Sequence, residues 1–231
     1  MNTIDFNLQA VRQTIAHAAL KAQRRTEEIT LLAVSKSFPA SAIREAYQAG
    51  QSAFGESYLQ EALRKMNALR DLPLEWHFIG PIQSNKGAAV AEHFSWVHGV
   101  DRFRIAERLS AFRPRQMSRL NVCIQVNIGG EFTKNGVLPD EVEELAMAVA
   151  ELPNLKLRGL MVIPPPAGEL EAQRRPFAIL RELMQQLNQS GLALDTLSMG
   201  MSNDLEAAVL EGATIVRVGT AIFGSRTKHE D

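Results

Sequence analysis

Hydrophobic residues recur at steps of three and four along the first part of the chain. An α-helix repeats every 3.6 residues, so this spacing places the apolar side chains on one face and predicts an amphipathic helix over residues 4–22. The presence of Asp5 and the lack of serines in this segment argue against a transit peptide. The residues of the apolar face are Ile4, Leu8, Val11, Ile15, Ala19 and Ala22.

The pattern then changes to short β-rich runs that alternate with segments of helical period. Alternating strands and helices require a parallel sheet, and eight units in about 200 residues favour a closed (β/α)₈ TIM barrel. An open doubly wound sheet usually stops at five or six strands. We therefore predict one α/β domain over residues 1–231, with an extra N-terminal helix. The eight runs are 30–36, 52–57, 75–80, 96–101, 121–128, 155–163, 195–201 and 215–224.

Glycine and proline mark several of the expected helix ends. Gly50, Gly191 and Gly212 each follow a helical run, where a left-handed C-cap is favoured. Pro39 and Pro139 stand at the expected starts of two helices. These positions agree with the predicted alternation.

Composition and charge exclude several classes of partner. The 231 residues are 45% hydrophobic and 22% charged, which is enough to build a large buried core. The formal net charge of -1 offers no general attraction to nucleic acid or anionic lipid, so we expect neither as a partner. No apolar run approaches the roughly 18 residues that span a bilayer, and the start lacks a secretory signal pattern. We expect a cytoplasmic protein.

Cysteine and histidine give no sign of a metal site or a thiol nucleophile. The single cysteine, Cys123, lies within an apolar run, so we interpret it as a small buried hydrophobic residue. We expect His77 to be a core histidine, since it lies at an interior position of the third strand. No histidine has ligand spacing with carboxylates or cysteine, and no metal is predicted; the five are His17, His77, His93, His98 and His229.

Lys36 ends the first predicted strand and is the first candidate for chemistry. Strand alternation puts Leu32, Val34 and Lys36 on one face, so if Val34 fills the barrel, Lys36 points into its mouth. The active face of such barrels is formed by the C-terminal strand ends and the loops that follow. The alternative is a lysine that extends from the strand end into solvent.

The loops after strands seven and eight are where TIM barrels commonly hold a phosphate. In the first loop, Ser202 or Asn203 would cap the following helix, with Glu206 as a capping-box partner of Asn203. In the second loop, Gly219 allows a close backbone approach and Thr220 offers a hydroxyl. The alternative is that these small residues only end their strands.

A lysine that faces a phosphate site suggests a phosphorylated aldehyde held as an imine, and pyridoxal 5′-phosphate is the commonest such ligand. Arg217 lies on the same side of strand eight as Gly219, at the expected depth of a pyridine ring. An arginine can donate to the ring nitrogen without giving up its proton, which argues against demanding carbanion chemistry. On its own, Arg217 could equally be solvated near a strand end.

These features resemble the pyridoxal phosphate homeostasis protein family, single-domain relatives of the alanine racemase N-terminal barrel. The resemblance implies that Lys36 forms the Schiff base, that Ser202, Gly219 and Thr220 contact the phosphate, and that Arg217 lies near the ring nitrogen. It also implies a role in intracellular cofactor homeostasis and delivery. The motifs that carry it are LLAVSKSFP (31–39), FGESYLQEA (54–62), EWHFIGPIQSNK (75–86), LRGLMVIP (157–164), LSMGMSNDLEAA (197–208) and VRVGTAIFG (216–224).

The chain departs from the family pattern at three places. Ser57 stands where the family usually has asparagine, and Phe38 stands where it often has a second lysine. The segment TKNG keeps Lys134 and Gly136 of a family motif. The roles of Ser57, Phe38 and Lys134 are therefore left open.

Two functions remain. The first is a non-catalytic carrier and regulator of pyridoxal 5′-phosphate, which we expect to be a monomer with transient contacts to apoenzymes. The second is a cofactor-dependent amino-acid racemase, which needs proton transfer on both faces of a carbon. Racemases of this fold resemble a two-base design with a lysine and a tyrosine from an appended β-domain, and we do not expect such a domain here. Its tyrosines are Tyr47 and Tyr58, and we expect Tyr58 to pack at a helix start. The carrier is favoured.

Overall fold

Eight parallel strands close into a barrel in chain order, with the first strand paired to the last. The computed structural model describes residues 3–129 and 135–225, apart from the side chain of Ser84. The predicted TIM barrel is confirmed. The strands are β1 (Thr30–Val34), β2 (Ala53–Glu56), β3 (Glu75–Phe78), β4 (Trp96–Val100), β5 (Leu120–Val126), β6 (Leu155–Val162), β7 (Thr196–Ser198) and β8 (Ile215–Val218).

Helices surround the barrel, and an extra one precedes it. The predicted N-terminal helix is confirmed, and it packs against the last two helices of the described chain. The helices are α1 (Thr3–Lys21), α2 (Ala40–Gln48), α3 (Leu59–Ala68), α4 (Gly87–His93), α5 (Phe103–Phe112), α6 (Val142–Ala150), α7 (Leu170–Gln189), α8 (Leu205–Leu210) and α9 (Thr220–Phe223). Short 3₁₀ turns cover Thr26–Glu28, Ser84–Lys86 and Pro139–Glu141.

All eight predicted runs extend past the C-terminal ends of their strands, and two of them show why. The run 215–224 contains a strand only as far as Val218, because the chain then turns into α9, where the N–H of Ile222 donates to the carbonyl of Gly219. The run 30–36 ends as a strand at Val34, and the following residues form a turn. β-Rich composition does not reveal where a strand leaves the sheet, since the ladder ends when the neighbouring strand ends.

The predicted helix punctuation is confirmed. Gly50, Gly191 and Gly212 follow α2, α7 and α8 with φ of +83°, +101° and +94°, in the left-handed region that glycine adopts without steric cost. Pro39 is the N-cap residue of α2, and Pro139 opens a 3₁₀ turn.

The apolar core has two parts, as strand alternation requires. A large layer lies between the strands and the helices, and a smaller cluster fills the barrel interior. Cys123 belongs to the interior cluster and is fully buried, as predicted, and burial raises the pKa of its thiol to about 12. The interior cluster consists of Leu32, Ala53, Trp96, Cys123, Met161 and Ile215, with Ile79 packed against it.

None of the described helices is both long enough and apolar enough to cross a membrane.

Candidate functional site

A cavity of about 420 Å³ opens at the C-terminal end of the barrel. This volume lies within the usual range for small-molecule sites. All five residues predicted as cofactor contacts line it: Lys36, Ser202, Arg217, Gly219 and Thr220. Folding therefore brings together residues that lie up to about 180 positions apart in the sequence, because parallel strands end at the same mouth of the barrel.

Lys36 reaches the cavity from a turn that follows β1. The N–H of Phe38 donates to the carbonyl of Ser35 over 3.0 Å and closes the turn. Val34, at the last position of β1, also lines the cavity, so Val34 and Lys36 both border it although Lys36 lies in the turn beyond the strand. The lysine is half-buried in this position.

Phe38 stands at the position where pyridoxal phosphate homeostasis proteins were expected to have a second lysine, and its side chain has an apolar partner. Its ring stacks on that of Phe223 in α9, with the ring centroids 5.0 Å apart. This contact joins the Lys36 turn to the helix that follows β8. Ser57, the other departure within the described residues, lines the cavity. Lys134 and His229 lie outside the described residues.

The loop after β7 is held by its own backbone. Gly200 has φ of +92°, and a Cβ there would lie 2.5 Å from the Cβ of Ala208, so only glycine fits without displacement. The carbonyl of Gly200 accepts from the N–H of Arg217 over 2.9 Å. These contacts fix the start of the loop that carries Ser202 into the cavity lining.

The predicted capping of α8 was wrong. Its N-cap residue is Asp204, because the helix begins at Leu205, and a carboxylate oxygen of Asp204 accepts the N–H of Met201 over 2.5 Å. Glu206 instead forms an ion pair with Lys21 of α1, with 2.7 Å between nitrogen and oxygen. The turn that Asp204 closes occupies the positions where Ser202 or Asn203 would have capped the helix.

Asp204 is a cavity residue that the sequence interpretation missed. Burial raises the pKa of this carboxyl above its usual value, opposed by its bond to the Met201 N–H and by the positive charge of Arg217. Gln173, Ile163 and Met201 also line the cavity without having been predicted. Their signal in the sequence is weak, since nothing local distinguishes them from ordinary loop and helix residues.

The loop after β8 places backbone next to the cavity. A Cβ on Gly219 would lie 3.1 Å from the carbonyl oxygen of Val34, so the glycine permits a close approach of β8 to β1. Thr220 begins α9, and the first N–H groups of a helix have no partner within that helix. The residues Ser202 and Thr220 are both exposed.

Arg217 forms the floor of the cavity and is 4% exposed. Nη1 donates to the carbonyl and hydroxyl oxygens of Ser198 over 2.5 and 2.8 Å, and Nη2 donates to the carbonyl of Val162 over 2.8 Å. A guanidinium has five N–H donors, so these contacts use three of them. Burial lowers the pKa of Arg217 to about 10, which leaves it protonated at neutral pH.

A line of polar side chains continues from Arg217 through the barrel. The hydroxyl of Ser198 lies 2.7 Å from Nδ1 of His98, and Nε2 of His98 lies 2.9 Å from Nδ1 of His77. Nε2 of His77 lies 3.5 Å from a carboxylate oxygen of Glu75. His77 is 1% exposed, in accord with the expected core histidine. Its Nδ1 contacts His98, whereas its buried Nε2 lies near Glu75 without forming a hydrogen bond.

One arrangement of protons matches the groups at both ends of this line. Arg217 can only donate, and the carboxylate of Glu75 can only accept. In that arrangement each neutral imidazole carries its proton on Nε2, so that Ser198 donates to His98, His98 donates to His77, and the remaining N–H of His77 faces Glu75. Burial lowers the pKa of both histidines, that of His98 well below its usual value, which keeps both rings neutral.

The described residues contain no group of three histidine, cysteine or acidic side chains that could hold a metal ion. Tyr47 lies on α2, and Tyr58 is the N-cap residue of α3 and is 56% exposed. The side chain of Tyr58 is therefore more exposed than the expected packing at the start of α3 would leave it.

The family model for the alanine racemase N-terminal domain matches residues 7–227. The chain therefore belongs to the alanine racemase N-terminal domain family. A protein of Pseudomonas aeruginosa named pyridoxal phosphate homeostasis protein is 59% identical over 226 residues, which are 98% of this chain and 97% of that protein. A protein of the same name from Escherichia coli K12 is 53% identical over 234 residues, 98% of each chain.

A solved structure agrees with these relatives. PipY of Synechococcus elongatus, in a structure with pyridoxal phosphate bound, is 41% identical and superposes with a TM-score of 0.81. The match covers 91% of this chain and all of that one. The predicted resemblance to the pyridoxal phosphate homeostasis proteins is confirmed by these similarities.

Proposed function

We propose that this protein binds pyridoxal 5′-phosphate in the barrel-mouth cavity, held as a Schiff base on Lys36, and that it stores and supplies the cofactor without catalysing a reaction. The observation that carries the proposal is the pairing of Lys36 with buried Arg217 in one cavity of about 420 Å³. The relatives named for pyridoxal phosphate homeostasis support the same role.

The residues of the cavity fit the chemical groups of this cofactor. The cofactor supplies an aldehyde, which condenses with a primary amine and releases water. Lys36 provides the amine, while Ser202, Gly219 and Thr220 offer hydroxyl and backbone donors for the phosphate. Ile79 and Ile163 provide apolar surface for the ring.

Arg217 supports a holding role over demanding carbanion chemistry. Its pKa of about 10 means that it donates to a ring nitrogen and does not protonate it at neutral pH. A carboxylate in this place would keep the ring nitrogen protonated and make the ring a stronger electron sink. With three donors bound to Ser198 and Val162, Arg217 has two further N–H groups for a ligand.

A racemase is the alternative function. Proton transfer on both faces of a carbon needs a second acid or base opposite the lysine. Among the described residues that line the cavity, tyrosine is absent. The carboxyl there, Asp204, accepts the N–H of Met201 in its own turn. This arrangement favours the carrier.

The proposal extends to how the protein works in the cell. We infer one domain over residues 1–231 that acts as a monomer in the cytoplasm and touches apoenzymes transiently while it transfers the cofactor. Competition between the Lys36 amine and the lysine of an apoenzyme for the same aldehyde would provide the transfer. Both are primary amines, so exchange needs no further reactant.

The test is covalent trapping with borohydride, which converts a Schiff base to a stable secondary amine. The wild-type protein is expected to gain the mass of one reduced cofactor on Lys36, and Lys36→Ala is expected to gain none. Lys156→Ala, at an exposed lysine, is the matched control and should behave as wild type. Trapping in Lys36→Ala equal to that in wild type would disprove the Lys36 assignment.

A second measurement separates the two functions. Purified protein loaded with cofactor is incubated with D- or L-amino acids, and the appearance of the opposite enantiomer is followed. The carrier proposal predicts no turnover above that of the cofactor alone in solution. Turnover above that background, lost in Lys36→Ala, would establish the racemase.

A further inference from the structure

A buried group of charged side chains lies beneath the turn that carries Lys36. Lys65 of α3 is 6% exposed, and its ammonium donates to the carboxylates of Glu56 over 2.7 Å and Glu61 over 2.6 Å. It also donates to the carbonyl of Ser35 over 2.8 Å. A primary ammonium has three N–H donors, so these three contacts account for all of them.

The same carboxylates hold the backbone on both sides of Lys36. On one side, Glu56 accepts the hydroxyl proton of Ser35 over 2.6 Å. On the other side, Glu61 accepts the backbone N–H of Ser37 over 2.6 Å. The residues before and after Lys36 are therefore both attached to one cluster, defined here as Glu56, Glu61 and Lys65.

The backbone after Lys36 has a conformation that needs such support. Ser37 has φ of +68°, in the left-handed region that costs an L-residue free energy. Its N–H bond to Glu61 and the turn bond from Phe38 to Ser35 both favour this conformation. A sharp turn at Ser37 sets the direction in which the preceding side chain leaves the backbone.

The composition of the cluster suggests orientation as its purpose. A buried ion pair contributes little net stability compared with apolar side chains of the same volume, because desolvation opposes the attraction between the charges. One carboxylate oxygen of Glu56 is buried without a hydrogen-bond partner, which adds a further cost. Apolar residues in these positions could not form the directed hydrogen bonds to Ser35 and Ser37.

We propose that Glu61 and Lys65, braced by Glu56, are positioning residues that orient Lys36 toward the aldehyde carbon of the bound cofactor. This inference rests on the proposed function of Lys36. The fraction of bound cofactor that is covalently attached depends on how well the amine is placed, since correct placement raises its effective concentration. Loosening the turn lowers that fraction even where the cavity still binds the cofactor.

The test compares Glu61→Ala with Glu61→Gln, because the Glu61 side chain is 24% exposed and its removal disturbs the core less than changing Glu56 or Lys65. Glu61→Ala removes the acceptor of the Ser37 N–H. Glu61→Gln keeps a carbonyl oxygen that can accept from both Ser37 and Lys65. Glu107→Ala removes an exposed glutamate of α5 and is the charge-matched control.

The readout is a ratio measured on protein saturated with cofactor. Borohydride trapping counts the attached cofactor, equilibrium dialysis counts all bound cofactor, and the first is divided by the second. We expect the ratio to fall at least about threefold in Glu61→Ala and to stay near wild type in Glu61→Gln and Glu107→Ala. A purely structural role lowers total binding and leaves the ratio unchanged.

A second readout needs no cofactor. Hydrogen–deuterium exchange of the backbone over residues 35–38 should accelerate about tenfold or more in Glu61→Ala and little in Glu61→Gln, because only the first variant removes the acceptor of the Ser37 N–H. An unchanged trapping ratio or unchanged exchange in Glu61→Ala overturns the positioning role. Lys36→Ala distinguishes the two proposals, since trapping that persists there contradicts the proposed function and not merely this inference.

Discussion

Arg217 and His98 share a single serine hydroxyl. Nη1 of Arg217 donates to the Ser198 hydroxyl over 2.8 Å, and the same oxygen lies 2.7 Å from Nδ1 of His98. The floor of the cavity is thereby linked to the buried histidines of the barrel interior. A serine hydroxyl has one proton and two lone pairs, so Ser198 can accept from Arg217 and donate to His98 at the same time.

Arg217→Met is expected to lower the free energy of unfolding by about 2–4 kcal/mol. The substitution removes the donor that Arg217 provides to the buried carbonyls of Ser198 and Val162, and each buried group that loses its partner costs about 1–3 kcal/mol. Urea denaturation followed by circular dichroism measures the change. Arg25→Met, at a side chain that is 79% exposed, is the control and should alter stability little. Equal stability of Arg217→Met and wild type would contradict the role of these bonds.

The two buried histidines predict a pH dependence of stability. Burial lowers the pKa of His98 well below that of an unfolded histidine, and it lowers the pKa of His77 as well. Below about pH 6.5 the unfolded chain therefore binds more protons than the folded one. The free energy of unfolding is expected to be largest above that pH and to fall as the pH is lowered toward 5, by up to about 1.4 kcal/mol per pH unit for each histidine.

His98→Asn is expected to reduce this slope by at least about half, because it removes the histidine whose pKa is lowered more. The substitution lowers stability at every pH, so the slope between pH 7 and pH 5 is the quantity to compare. Urea denaturation at several pH values measures it. His17→Gln, on the exposed face of α1, should leave the slope unchanged. A wild-type slope in His98→Asn would show that the pH dependence arises elsewhere.

Lys65→Met is expected to destabilise the fold by about 3–5 kcal/mol, because it leaves the carboxylate of Glu56 buried without its counter-charge. Burial already raises the pKa of Glu56, and the Lys65 charge opposes that shift. The double variant Lys65→Met with Glu56→Gln removes both charges and should recover much of the loss. Urea denaturation of the three proteins gives the comparison. Equal loss in the single and double variants would argue against the ion pair.

Cys123 is expected to resist thiol reagents in the folded protein. The side chain is fully buried, and a pKa of about 12 leaves almost no thiolate at neutral pH. Reaction with an aromatic disulfide reagent should be slow in buffer and complete in concentrated guanidinium chloride. The absorbance of the released thiol measures both. Rapid modification in buffer would mean that the barrel interior opens frequently.

Several parts of the site could be predicted because they depend on position along a strand. Lys36 follows β1 and Gly219 follows β8, while Arg217 lies near the end of β8, and parallel strands end at the same mouth of the barrel. The cap of α8 could not be predicted in this way. Ser202, Asn203 and Asp204 all favour such a position, and the geometry of the turn selected the third.

By itself, the sequence determined the number of strands and helices, their order, and the strand ends at which Lys36 and Arg217 lie. Those properties follow from the periods of the helix and the strand, which act between residues near each other in the chain. Only the tertiary structure decided that Lys65 meets Ser35 and that His98 meets Ser198, 100 positions away. Such contacts depend on which strands become neighbours and how a closed barrel staggers them, and no local period encodes that geometry.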